Sequence, residues 1–170
     1  MEPCDIRERV FEWANEHGYF LEFSVNTVIY LARDRMPALR GDVDVFISEE
    51  DVANIARHVD SRVCKRVALA MLCYSKAAAD KHGDFQLSSV QLGAWIGVAP
   101  SNIRSRYIKE LVDFAYLAKT TDHHRHKGWQ SGDKKEPKTE WYRVLEPTKN
   151  EGCWRLVNND INALYDEIYK

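Results

Sequence analysis

Leu87-Ser88-Ser89-Val90-Gln91-Leu92-Gly93-Ala94-Trp95-Ile96-Gly97-Val98-Ala99-Pro100-Ser101-Asn102-Ile103 reads as two helices joined by a tight turn. Ser88 with Gln91 three residues on is a capping box, which opens a short helix that carries Leu92, Trp95 and Ile96 inward. Gly97 closes it, supplying the positive φ that a sharp turn between crossing helices needs. Pro100 then stands in the first turn of the next helix, where its missing N–H costs nothing. That helix is expected over Pro100 to Phe114, with Ile103, Tyr107, Ile108, Leu111 and Phe114 as its buried stripe. The opposite face then presents Ser101, Asn102, Arg104, Ser105, Arg106 and Lys109.

Upstream, Ser48-Glu49-Glu50-Asp51 forms a second capping box. Apolar residues follow at helical spacing from Val52 to Ala78, with a break expected near His58 to Ser61 because Asp60-Ser61 offers a new cap. Gly83 is expected to end that run as a C-terminal cap, and Phe85 to Leu87 is short and extended. Downstream, Tyr116 to Thr121 and Glu140 to Leu145 alternate like strands around a polar loop, Asp122 to Thr139. Cys153 to Val157 suits one more strand, and Asn159 or Asp160 caps a last helix with Ile161, Leu164, Tyr165 and Ile168 inward. Nearer the start, Asp5 to His17 is amphipathic with Ile6, Val10, Phe11 and Trp13 on one side. Tyr19 to Arg35 mixes strand formers with helix caps, Pro37 to Gly41 is a loop, and Val43 to Ile47 is briefly extended.

The order helix, short strand, helix, turn, helix, strand, loop, strand, together with Gly97-Val98-Ala99-Pro100-Ser101, resembles the winged helix-turn-helix proteins of bacteria and phages. The resemblance covers roughly half of the chain and departs at Ala99, where a Ser N-cap is common, and at Ala115, where Gly usually precedes the wing strand. It implies a mostly α (α+β) fold: residues 1–47 an acidic helical extension, 48–147 a winged-helix domain with a long leading helix, and 148–170 a C-terminal strand and helix. It also implies non-catalytic binding of duplex DNA, as a transcriptional regulator or a replication or partition factor of a phage or mobile element.

Charge distribution agrees with a polyanionic partner. The formal net charge is −2, yet residues 1–56 carry 5 Lys+Arg against 12 Asp+Glu, while residues 57–143 carry 16 against 9 and hold five of the six histidines. Short hydroxyls and amides at Ser101, Asn102 and Ser105 suit phosphate or adenine, and Arg104, Arg106 and Lys109 suit guanine edges or phosphates. The loop adds His124, Arg125, Lys127, Lys134, Lys135 and Lys138 for backbone phosphates, with Trp129 to stack, wedge or anchor.

Other chemistries find less support. His123, His124 and His126, with Asp122 or Cys153, invite zinc, but no second ligand pair stands at a usual spacing, so no metal and no cofactor is expected. Glu136-Pro137-Lys138 matches a nuclease fragment, yet a proline does not suit the central strand such a site needs. With no phosphate-binding Gly loop, Gly-x-Ser-x-Gly or His-Glu-x-x-His, the chain is expected not to be an enzyme. No apolar run spans a membrane, the start lacks a signal-peptide pattern, and four scattered cysteines suggest reduced thiols, so a cytoplasmic location is expected. Cys64 and Cys73 are expected to be packed. The acidic residues Glu12, Glu16, Asp42, Asp44, Glu49, Glu50 and Asp51 read as solvated faces and caps, or as a surface for a basic protein. The apolar terminal stripes leave a homodimer open. The second functional reading is therefore a protein-interaction module, a small phage-type inhibitor or adaptor, that uses the winged helix as a scaffold.

Overall fold

A computed structural model describes Leu39, residues 43–120 and residues 140–170, all within one compact unit, Pro37–Lys170. The expectations for Asp5 to His17, Tyr19 to Arg35 and the loop Asp122 to Thr139 lie outside the described residues.

The architecture is α+β, with five helices and two small antiparallel sheets among the described residues. Strand β1 (Phe46–Ile47) leads into helix α1 (Glu49–His58) through the Ser48 capping box. The Asp51 N–H donates to Ser48 Oγ at 3.1 Å, and the Ser48 N–H donates back to Asp51 Oδ2 at 3.0 Å. Glu49 and Glu50 in the first turn and Arg57 and His58 in the last complement the helix dipole. The break expected at residues 58–61 is present: Val59 is extended, Ser61 caps the next helix, and α2 runs Arg62–Ala78.

Helix α2 is the centre of the unit. Every residue from Val67 to Cys73 is buried, so its neighbours cover it all round and not along one stripe only. Ala68 and Ala70 keep its girth small enough for close approach on several sides. Cys64 and Cys73 are buried as expected, and burial pushes both thiols up, Cys64 to about 12.

The end of α2 departs from expectation. The helix stops at Ala78, and Gly83 is not its cap but the left-handed residue (φ 81) of a following turn. Asp80 wins over helix continuation, because its Oδ1 accepts from the N–H groups of His82 (2.8 Å) and Asp84 (3.0 Å). Strand β2 (Asp84–Gln86) follows, then helix α3 (Ser89–Ile96).

Helix α4 is composite: α-helical Pro100–Asn102, a π-helical stretch Ile103–Tyr107 and α-helical Ile108–Asp113. Strands β3 (Leu117–Lys119) and β4 (Trp141–Val144) complete a sheet of order β2-β4-β3, with Phe85 opposite Tyr142 and Leu117 opposite Val144. Strand β5 (Trp154–Arg155) pairs with β1, and helix α5 (Ile161–Ile168), capped by Asp160, packs on α2. No helix among the described residues is long and apolar enough to cross a membrane.

Two further expectations are corrected. Phe114 is not part of the α4 stripe: it is 53% exposed, because α4 ends at Asp113 and Ala115 (φ 55) turns the chain so that Tyr116 enters the core instead. Asp51 is not a solvated acid but is buried. Its Oδ2 accepts from Lys76 Nζ at 2.6 Å and from Thr148 Oγ1 at 2.8 Å, and the Thr148 N–H donates to Oδ1 at 3.2 Å.

Candidate nucleic-acid interface

The α3–α4 corner is built from two glycines. Gly97 is left-handed (φ 73), and both its N–H and that of Val98 donate to the Gly93 carbonyl, at 2.9 and 3.0 Å. A Cβ on Gly93 would stand 2.5 Å from the Val98 carbonyl oxygen and 3.2 Å from Pro100 Cγ, so only glycine lets the turn fold back this closely. Its role was not read from the sequence, although a glycine inside a capped helix is the kind of signal that marks close approach. Ala99 makes no side-chain cap bond; its carbonyl accepts from the Asn102 and Ile103 N–H groups instead.

From this corner α4 turns Ile103, Tyr107, Ile108 and Leu111 into the core. Ser101, Asn102, Arg104, Ser105, Arg106 and Lys109 all lie exposed on the other side. Arg104, Arg106 and Lys109 make no ion pair with a carboxylate among the described residues. The Arg106 guanidinium lies 5.5 Å from the centroid of the Tyr107 ring, and Ser105 Oγ donates to the Ser101 carbonyl at 2.7 Å. The remaining candidates, His124, Arg125, Lys127, Trp129, Lys134, Lys135 and Lys138, lie outside the described residues.

The roots of the β3–β4 hairpin are described, and they hold a carboxylate. Glu140 accepts from Lys119 Nζ at 3.1 Å and from the Tyr142 hydroxyl at 2.7 Å. Burial alone would raise the Glu140 carboxyl, but these two donors outweigh it, with Arg104 adding a smaller favourable charge, and hold it below its ordinary value. Lys119 therefore faces outward already partnered. On β4, Arg143 Nε donates to the buried Asp84 at 2.7 Å.

A second anchor fixes the corner from the far end of the chain. Trp95 Nε1 donates to the Asn159 carbonyl at 2.6 Å, in a turn where Asn158 and Asn159 are both left-handed (φ 51 and 55). Asparagine tolerates that conformation better than most residues. Among the acidic residues, Asp44, Glu49 and Glu50 are exposed, whereas Glu12, Glu16 and Asp42 lie outside the described residues.

No protein-family model, curated protein or solved structure matches the chain. What the arrangement can do therefore follows from its own geometry. It presents a helix face with three cations, two short hydroxyls and an amide, backed by a buried apolar face and followed in the chain by β3 of a small sheet. Such a surface can insert into a groove and pair with phosphates and base edges.

Proposed function

We propose that the chain is a non-catalytic duplex-DNA-binding protein of winged-helix architecture, with α4 entering the major groove. The element order α2, β2, α3, α4, β3, β4 and the strand order β2-β4-β3 support that architecture. The observation that carries the DNA reading is the exposed face of α4, whose Arg104, Arg106 and Lys109 make no ion pair with a carboxylate among the described residues, Glu140 acting on Arg104 only at longer range. The hairpin whose roots are β3 and β4 would lie along the flanking backbone, with its basic loop residues on phosphates. A role as regulator, or as replication or partition factor of a phage or mobile element, rests on the sequence resemblance alone.

The test is a duplex-binding titration against salt for the full chain and for the double change Arg104→Ala with Arg106→Ala. Loss of two phosphate or base contacts should weaken binding at least tenfold and flatten the log–log salt slope by up to about 1.8. Absence of duplex binding even at low salt would sink the proposal and favour a scaffold that binds protein.

A further inference from the structure

From Phe85 to Ile103 the chain holds no charged residue, although that stretch forms the corner at which α4 begins. Gly97, Ala99, Pro100, Ser101 and Asn102 are all exposed there, so the apex is slender and neutral. It is not a phosphate cradle either. A helix start ordinarily offers several free N–H groups to an anion. Pro100 has none, and those of Asn102 and Ile103 both donate to the Ala99 carbonyl, at 3.0 and 3.2 Å. We infer that Asn102 reads an adenine in the major groove, so that the preferred duplex carries an A·T pair where the apex of α4 enters. The inference rests on the DNA-binding reading above and names what that site selects.

The exposed side chains of α4 differ in what they have left to offer. The major-groove edge of adenine presents an acceptor, N7, beside a donor, the N6 amino group. Its partner must carry a donor and an acceptor on two adjacent atoms. Arg104, Arg106 and Lys109 carry donors only. The Arg106 guanidinium lies over the Tyr107 ring, and the charge of Arg104 acts on Glu140. A serine hydroxyl has its donor and acceptor on one atom, and the proton of Ser105 is spent on the Ser101 carbonyl. The Asn102 carboxamide has both groups side by side. It is exposed and makes no side-chain bond to the helix start, so both are uncommitted.

Its place in the helix suits the same task. All three cations of the exposed face come after Asn102 in the chain. The neutral end can therefore reach base edges while the charged turns stay with the phosphates at the rim of the groove. In a helix that enters the major groove, the N-terminal residues are the ones that contact base edges.

The experiment uses the full chain. Wild type and Asn102→Ala each enrich a preferred duplex from a random-sequence pool. The expected result is one adenine in the wild-type site that the variant no longer selects, its preference over the other bases falling about tenfold. Affinity for random duplex and the salt slope stay at their wild-type values, because no charge is removed. In the wild-type site, 7-deazaadenine at that position removes N7 and keeps the base pair. It should weaken wild type about fivefold, one hydrogen bond, and leave Asn102→Ala unchanged. A wild-type site with no selected adenine, or an adenine that Asn102→Ala still selects, overturns the inference while duplex binding stands. Equal weakening of both proteins by 7-deazaadenine does the same. Loss by Asn102→Ala on preferred and random duplex alike, with a lowered melting temperature, also overturns it, as a purely structural effect. A wild type that binds no duplex overturns the DNA reading itself and this inference with it.

Discussion

Lys76 Nζ sits 2.6 Å from Asp51 Oδ2, and both side chains are almost wholly removed from solvent. The ammonium also donates to the carbonyls of Phe46 (3.0 Å) and Lys149 (2.9 Å) and to Thr148 Oγ1 (3.1 Å). One cation thereby ties β1, the start of α1 and the segment after β4 to the end of α2. Removing it should strand a buried carboxylate. Lys76→Met is expected to destabilise by about 3–5 kcal/mol, read from chemical denaturation. A loss below about 1 kcal/mol would mean that the pair is wetter than its geometry implies.

The same pair sets an acid limb. Burial by itself raises the Asp51 carboxyl, but Lys76, Ser48 and Thr148 outweigh it and hold it below its ordinary value. A carboxyl depressed in the folded state contributes stability that is fully present above its unfolded value of about 3.9. That contribution is lost as pH falls through the folded value. Wild type should therefore lose stability below about pH 4 more steeply than Asp51→Asn, although the variant is less stable at neutral pH. Parallel pH profiles for the two would contradict this.

Ala115 holds φ 55 where a residue with a Cβ is strained. It is exposed, so glycine there removes strain and forfeits no core contact. Against this stands the larger entropy glycine loses on folding. Ala115→Gly is expected to be stabilising by about 0.5–1 kcal/mol, as a rise in melting temperature with unchanged duplex affinity.

Gly93→Ala should do the reverse. Its new methyl would meet the Val98 carbonyl, part of a backbone that cannot step aside without opening the turn. A loss of about 1–3 kcal/mol is expected, with weaker duplex binding as the α3–α4 angle changes. Calorimetry alongside a binding titration would separate the two effects.

Glu140 neutralises Lys119 at the hairpin root. If Lys119 is the nearest cation of β3 to the duplex backbone, Glu140→Gln frees one further phosphate contact. The salt slope should then steepen by about 0.9 and low-salt affinity rise. An unchanged slope would place Lys119 off the DNA path.

Much of the fold was legible because its signals are local. Both capping boxes, the break before Arg62, the turn at Gly97 and the entry at Pro100 each depend on residues within four positions of one another. What was misread depends on distant partners. Nothing near Asp51 in sequence announces Lys76 or Thr148, so a first-turn acid looked solvated. Phe114 fits the helical spacing perfectly well, and only the left-handed Ala115 after it decides that Tyr116 goes inside. The π-helical stretch was hidden for a related reason: Ile103, Tyr107 and Leu111 make an acceptable α-helical stripe on paper. On the candidate surface, the six α4 residues do share the exposed face, whereas the loop residues are not among those described.

The bond from the Trp95 indole to the Asn159 carbonyl bears on how separable the α3–α4 corner is. Residues 88–113 look like a portable cassette, with their own caps and corner. Yet the buried indole takes its acceptor from a turn more than sixty residues later, which is itself held between β5 and α5. Grafted into another scaffold, the helix pair would keep its shape signals but leave a polar N–H unsatisfied and α3 free to roll. The corner is part of a closed mechanical loop that starts at α3 and returns through the last helix of the chain.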